Sequence, residues 1–467
     1  MAQARRSAKR TSISHLTGAR FLLSLWIVNN HFVPKQPETA LNHVVSRSNV
    51  AVSFFICMSG FITHWAYGSR EMWRKWQIYQ YCVRRIGRVV VTTWFAMVAA
   101  IVIMALTGSP AGHVRDVGHV CRCFMFIETW LHPMAWCPNG QTWTVAALIP
   151  SWLLYPWTRR IVGWAERRGG GRGLFLLAAG AWLLEFGPIF FTYIAQDFRL
   201  SAEQHHLTYF WPPSQLVDFF IGATVAALAK YHSNAAQKAD EANGINTDCS
   251  HELRLRSRGA LLSDIGAAAI LLLCCAIPND GSYRTGFEVL YNHGVIPAIS
   301  CFLFASPLCT PTPSHLPTPP RCSYVALLLR QQAFVGLGTY SFQVYLFQWP
   351  VHMAISTLYG TTEAAEVFVT FCLVLWICAG LYAEHIEAPF ITWLRDFTSG
   401  WEMHGGPEKG GTDEESGEGM KVVIQTQLPP SLTQIYHTDA PLAREPKAHT
   451  PLLNQKRSPL AAAANYG

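Results

Sequence analysis

About ten apolar segments recur along this 467-residue chain, and each is long enough to cross a bilayer. A span needs about 20 residues, because a helix rises 1.5 Å per residue and the hydrocarbon core is about 30 Å thick. Backbone groups in lipid must be satisfied within the segment, which favours helices. We therefore predict an all-α integral membrane fold, with spans at 17–33, 48–68, 89–107, 141–158, 173–194, 214–229, 259–277, 288–306, 333–357 and 364–386.

The distribution of positive charge predicts the orientation of these spans. Of the 36 Lys and Arg residues, 29 lie in alternate inter-span segments beginning with the N-terminus, six lie in the other segments, and Arg20 lies inside the first span. Cytoplasmic loops retain Lys and Arg during insertion, so both termini are expected in the cytoplasm. The same loops account for the net charge of +7, which leaves no reason to expect a nucleic-acid partner.

The chain is predicted to contain one membrane domain, residues 16–395, after a basic cytosolic N-terminus, residues 1–15. From about residue 400 to 467, Gly, Glu, Pro, Thr and Lys dominate and apolar periodicity ends, so this cytosolic tail is expected to be disordered. A tail of this length favours a multi-pass protein of the plasma membrane or an endomembrane.

Two ionisable residues, Arg20 and His31, lie inside the first span. A charge at mid-bilayer costs at least a few kcal/mol, so such a residue is a functional candidate by default. Eleven residues at about 100° each return a helix to nearly the same face. Both side chains are therefore expected on one face, about 16 Å apart along the axis.

Three cysteines, Cys121, Cys123 and Cys137, share a segment predicted to face outward. A luminal or extracellular compartment permits a disulfide, and we expect Cys137 to pair with one of the other two. The alternative is a zinc site, which would need a fourth ligand such as His132.

Several short sequence motifs occur one after another along the chain. The second span contains FFICMSGFIT, with Ser59, Gly60 and Phe61, and YCVRRIGRVV, with Arg85 and Arg88, precedes the third span. The fourth span contains TWTVAALIPSWLLYPW, and later segments contain DFFIG, LGTYSFQVYLFQWPV and HIEAPF.

Together with the spacing of Arg20 and His31, these motifs resemble the acyltransferase-3 family of ten-helix membrane acyltransferases. The resemblance extends from about Leu16 to Arg395. Two positions depart from it: Leu148 stands where many members have Glu, and Gln348 where many have His. Neither replacement can transfer a proton. If that Glu orients the histidine in other members, a different partner must orient His31 here, or activity is reduced.

The resemblance implies transfer of an acyl group, most commonly acetyl, from acyl-CoA to a hydroxyl of a glycan, lipid or small molecule. Neutral His31 suits the base that removes the hydroxyl proton, and it could instead carry the acyl group transiently. No metal is needed. A cytosolic donor reaching through the bundle would deliver the acyl group to an extracytoplasmic acceptor.

The predicted donor contacts are arginines. Arg85 and Arg88, at the cytoplasmic mouth of the third span, suit bidentate contacts to the coenzyme A phosphates. Basic residues also flank inner helix ends in general and bind anionic lipids. Arg20 is expected either to contact the donor or to pair with Asp218 or Glu387.

Two other functions fit parts of the sequence. A transporter also uses buried charges, but it typically shows inverted repeats and helices broken at corresponding positions, which we do not find here. A non-catalytic membrane scaffold of the same family would explain Leu148 and Gln348. Coenzyme A binding without turnover would identify the scaffold.

Overall fold

The computed structural model describes residues 13–33, 40–70, 72, 74–108, 116–131, 136–195, 201–242, 249–276, 292–309, 323–360 and 364–404. Regular structure in these ranges is entirely helical, which confirms the predicted fold class for this part of the chain. The described ranges all belong to one compact unit, Met1–Gly410. Most of the predicted basic N-terminus lies outside them. Of the tail predicted to be disordered, residues 400–467, the first five are helical and the rest lie outside the described ranges.

Fifteen α-helices build the described structure, and short 3₁₀ and π segments join some of them. They are α1 Ser14–Phe32, α2 Ala40–Val45, α3 Asn49–Tyr67, α4 Lys75–Thr107, α5 Val117–Phe124, α6 Thr142–Ala195, α7 Ala202–His205, α8 Pro212–Ala242, α9 Cys249–Ala276, α10 Ile296–Ala305, α11 Tyr324–Leu329, α12 Gln332–Gly338, α13 Ser341–Tyr359, α14 Ala365–Tyr382 and α15 Ala388–His404. A π segment, Ala383–Glu387, joins α14 to α15.

Every predicted span overlaps at least one of these helices. Among the described residues, four helices are long and apolar enough to cross a membrane, judged by length and composition. They are Asn49–Tyr67, Lys75–Thr107, Ser257–Ala276 and Ala365–Ser399. A shorter apolar helix covers Asn292–Leu308. These helices support a membrane protein, and the count of ten spans and the cytoplasmic termini stay predictions.

Helix α6 contains two predicted spans, 141–158 and 173–194, because it folds back on itself at Gly170. This residue has φ 53° and ψ −139°, a conformation that favours glycine. A Cβ on Gly173 would lie 2.5 Å from the carbonyl oxygen of Ala165. Eight residues of straight helix would separate these positions by about 12 Å, so the two halves of α6 must pack against each other.

Two sequence motifs meet where α3 crosses α8. A Cβ on Gly60 would lie 1.9 Å from the carbonyl oxygen of Phe219, and a Cβ on Gly222 would lie 1.9 Å from that of Cys57. Small residues let helix backbones approach this closely in membrane proteins. The glycines of the SGF and DFFIG motifs therefore serve close helix packing.

Glycines also allow the backbone of α1 to pack closely against α11 and α12. A Cβ on Gly18 would lie 1.9 Å from the carbonyl oxygen of Leu329, and one on Gly338 would lie 1.9 Å from that of Thr17. The hydroxyl of Ser24 donates to the carbonyl oxygen of Ser341 at 3.2 Å, which joins α1 to α13. These contacts fix the helix that carries Arg20 and His31.

The expected disulfide joins Cys123, at the end of α5, to Cys137, with the Cα atoms 5.7 Å apart. Cys121 is exposed and has a free thiol. The structure therefore confirms that Cys137 is bridged and selects Cys123 as its partner. His132, the ligand named for the zinc alternative, lies outside the described residues.

We expect Gly222→Ala to destabilise the protein, because the added methyl group would collide with the backbone of α3 at Cys57. Overpacking of this kind costs about 1–3 kcal/mol. Thermal unfolding of the purified protein, followed by tryptophan fluorescence, would show a lower Tm. The matched control is Gly180→Ala in α6, where the methyl group meets no atom within 4 Å. Equal Tm values for Gly222→Ala and the unmodified protein would contradict this account of the crossing.

Candidate active site

His31 lies in the last turn of α1, has an exposed side, and contacts two glutamine side chains. Its Nδ1 atom is 3.3 Å from Oε1 of Gln348 in α13 and 3.4 Å from Nε2 of Gln141, which immediately precedes α6. Both glutamines are buried. Three separate parts of the chain therefore meet at this imidazole.

The hydrogen bonds of Gln348 determine the tautomer of His31. Nε2 of Gln348 donates to the carbonyl oxygen of Tyr345 at 2.9 Å, so Oε1 is the atom that faces His31. An amide oxygen only accepts, which requires a hydrogen on Nδ1 of the imidazole. The lone pair then lies on Nε2, the atom that could accept a proton from a substrate.

Gln141 has the opposite polarity at this nitrogen, because its Nε2, which only donates, faces Nδ1. Its Oε1 atom has no hydrogen-bond partner among the residues that the structure describes. Rotating this amide by 180° would satisfy the oxygen and match the tautomer that Gln348 selects. Nδ2 of Asn139 donates to the carbonyl oxygen of Leu346 at 2.7 Å, which ties the segment before α6 to α13. The two glutamines are thus held close to each other.

The contacts of Gln348 and Gln141 show what can orient His31 although Leu148 and Gln348 depart from the family pattern. Gln348 cannot transfer a proton, but it can hold the imidazole in one orientation. Leu148 packs against the apolar core and takes no part in this. Sequence reasoning marked Gln348 only as a departure and did not select Gln141, because no motif distinguishes it.

A cluster of charged side chains forms between α1, α4 and the π segment before α15. The Arg20 guanidinium interacts electrostatically with Arg85, Arg88 and Glu387. Nε of Arg88 donates to Oε1 of Glu387, and Nε2 of Gln343 donates to Oε2 of the same carboxylate. Glu387 therefore pairs with Arg88. Within the described ranges, Arg20 makes neither a hydrogen bond nor an ion pair.

Arg85 is held by two residues of neighbouring helices. Its Nη2 donates to Oγ of Ser59 at 3.3 Å, and its guanidinium lies 5.3 Å from the ring centroid of Trp152. Nε1 of Trp152 donates to the same hydroxyl at 3.0 Å. Ser59 therefore acts as an acceptor for both. The buried Nε of Arg85 has no partner in the described part of the chain, so it could donate to a ligand.

Asp218 belongs to a different buried cluster, together with Glu185 and His293. Nδ1 of His293 lies 3.1 Å from Oε2 of Glu185. The three ligand atoms lie within 4.8 Å of one another, a spacing that also suits a divalent cation. Asp218 is thus engaged here, away from Arg20.

The structure brings some predicted site residues together and separates others. Arg20, Arg85 and Arg88 form one electrostatic cluster. His31 lies eleven residues from Arg20 on the same helix, about 16 Å along its axis. A guanidinium cannot bridge that distance, so Arg20 and His31 cannot contact the same chemical group of a ligand.

Comparison with known proteins identifies the class of this chain. The acyltransferase-3 family model, described as an acyltransferase domain, matches residues 13–383. Acyltransferase MdmB from Streptomyces mycarofaciens is 24% identical over 240 residues, which cover 46% of this chain and 57% of that protein. The match therefore spans little more than half of that relative. No solved structure matches the chain.

We expect Arg88→Met to destabilise the protein, because it leaves the Glu387 carboxylate, whose side chain is 3% exposed, without its cation. Loss of a hydrogen bond to a charged group costs about 1.5–3 kcal/mol. Thermal unfolding would reveal a lower Tm, and adding Glu387→Gln to Arg88→Met should restore part of it. If the double variant is no more stable than Arg88→Met, this ion pair does not govern stability.

Proposed function

Because this chain belongs to the acyltransferase-3 family and is therefore an acyl-transferring enzyme, we propose that it moves an acetyl or other acyl group from acyl-CoA to a hydroxyl acceptor. The acceptor class is a glycan, a lipid or a small molecule. The observation that carries the proposal is the environment of His31. It lies at the family motif position, its Nδ1 faces Gln348, and its exposed side leaves Nε2 for a substrate.

In the proposed reaction, Nε2 of His31 removes the proton from the acceptor hydroxyl as its oxygen attacks the thioester carbonyl. A C–O bond forms, the C–S bond breaks, and the coenzyme A thiolate leaves. The imidazolium then returns its proton to that thiolate. Gln348 and Gln141 position the ring throughout, since both contact the nitrogen opposite the reacting one.

The cluster of Arg20, Arg85 and Arg88 is the proposed contact for the donor. The Arg20 guanidinium interacts there with those of Arg85 and Arg88 and with one carboxylate, Glu387, which is paired with Arg88, so the cluster carries excess positive charge. Such an excess in a medium of low dielectric favours an anion such as the diphosphate of acyl-CoA. The unpartnered Nε of Arg85 offers a donor of the required kind.

The proposed topology separates the two substrates. Ten spans with cytoplasmic termini would place the arginine cluster toward the cytoplasm and His31 near the outer end of α1. The donor would enter from the cytosol, and the acceptor would be modified on the extracytoplasmic side of a plasma or endomembrane. Acylated product found only on the cytosolic face would contradict this sidedness.

We expect His31→Ala to lower acyl transfer at least about 100-fold, the usual contribution of a general base. Transfer of radiolabel from several acyl-CoA donors into membrane and glycan fractions would be measured at equal expression. The matched control is His352→Phe, which removes a neighbouring imidazole but preserves the aromatic contact with Phe32. If His31→Ala transfers as much label as the unmodified protein, His31 is not the base. If no donor labels any fraction, the transporter or scaffold function is favoured.

We expect Gln348→Leu to lower kcat roughly tenfold with little change in KM for acyl-CoA, because it frees the imidazole to rotate from its reactive orientation. Gln348→Glu retains an acceptor for Nδ1 and should preserve most of kcat. Steady-state kinetics of both variants would test this. Equal losses in the two variants, or a loss confined to KM, would show that the residue does not position His31.

A further inference from the structure

A second basic region lies at the fold of α6, apart from the arginine cluster already described. A cavity of about 860 Å³ opens there between the end of α3, the first half of α6 and α8. It is lined chiefly by His64, Arg159, Arg160, Trp164, Arg167 and Tyr231. Its volume lies within the range of about 300–1,000 Å³ that is typical of ligand pockets.

The walls of this cavity combine positive charge with aromatic surface. Among the described residues that line it, three are arginines and one, Glu166, carries a carboxylate. Nε of Arg159 donates to the carbonyl oxygen of Gly68 at 3.0 Å, which fixes this guanidinium at the wall. Trp164 and Tyr231 have exposed rings on which a base could stack. Phosphate recognition and base stacking are thus available in one cavity.

One face of α6 runs from this cavity toward the candidate active site. Arg159, Tyr155, Trp152 and Leu148 follow one another at intervals of four, three and four residues, which places them on the same helix face. The hydroxyl of Tyr155 lies 3.4 Å from Nδ1 of His64 at the cavity, and Trp152 contacts Arg85.

Gln141, which contacts His31, immediately precedes the first residue of this helix. Eighteen residues separate Arg159 from Gln141, or about 27 Å of helix. A ligand anchored in the cavity would therefore lie in line with Arg85 and then with His31.

We propose that this cavity binds the 3′-phosphorylated adenosine end of the acyl-CoA donor. The arginines would contact the 3′-phosphate and an aromatic ring would stack on the adenine. Arg85 and Arg88 would then face the diphosphate farther in. Anionic lipid headgroups share the phosphate but not the base, so the aromatic walls favour the nucleotide. The inference rests on the proposed use of acyl-CoA.

The test uses the full chain in nanodiscs of zwitterionic lipid and measures the Kd of coenzyme A by calorimetry. The cavity variant is Arg160→Ala/Arg167→Ala. The matched control is Lys75→Ala/Arg172→Ala, which removes two exposed positive charges that do not line the cavity. We expect the cavity variant to bind coenzyme A at least tenfold more weakly, or about 1.4 kcal/mol, and the control to change less than threefold. If the Ala variant does not fold, Arg160→Gln/Arg167→Gln replaces it.

A second ligand identifies the group that is bound. Dephospho-coenzyme A lacks the 3′-phosphate and should bind more weakly than coenzyme A to the unmodified protein and to the control. The cavity variant should no longer distinguish the two ligands. Equal weakening by both double variants, or unchanged affinity in the cavity variant, would overturn the assignment.

Nanodiscs that contain phosphatidylglycerol separate the nucleotide from lipid. If the cavity variant loses retention of that lipid but keeps its affinity for coenzyme A, the cavity is a lipid site and the assignment is wrong. If the unmodified protein does not bind coenzyme A, the proposed donor is wrong as well. If the unmodified protein and the cavity variant bind coenzyme A with equal affinity, the assignment of the cavity is wrong but the proposed donor is not.

Discussion

The cost of holding charge among membrane-spanning helices governs the arrangement of this site. Arg88 is paired with Glu387, His293 contacts Glu185, and the Asp218 carboxylate lies within 4.8 Å of both. Within the described residues, the arginine cluster retains hydrogen-bonding capacity after this pairing. Nε of Arg85 is buried without a partner, and the Arg20 guanidinium makes no hydrogen bond or ion pair there. A ligand that accepts hydrogen bonds would satisfy both groups.

Close backbone packing makes this arrangement rigid. Glycines allow α3 to touch α8, and α1 to touch α11 and α12, at distances that no other residue permits. The contact of α1 matters for the candidate site, because this helix carries both Arg20 and His31. Fixing α1 against α12 and α13 also fixes the distance between the arginine cluster and the imidazole. In the proposed reaction, the separation of about 16 Å along α1 would divide donor binding from proton transfer.

The two departures from the family pattern have different consequences. Leu148 simply joins the apolar core. Oε1 of Gln348 contacts Nδ1 of His31, and its own bond to Tyr345 determines which amide atom faces the ring. An amide can orient an imidazole as well as a charged group can, and it does so without placing another charge in the membrane. The chemistry proposed for this chain therefore needs only one group that changes protonation, which is His31.

The sequence by itself determined the helical fold class, the positions of the helices, and the arginine and histidine residues of interest. Apolar length, helical spacing and motif order are local properties, so they can be read along the chain. It left the partner of Cys137 open between Cys121 and Cys123, and it did not single out Gln141. Only the tertiary structure decided the contacts of His31, because Gln141 and Gln348 lie 110 and 317 residues away from it. It likewise decided that Glu387 pairs with Arg88 and that Asp218 lies beside Glu185 and His293, since side chains distant in sequence come together only when the helices pack.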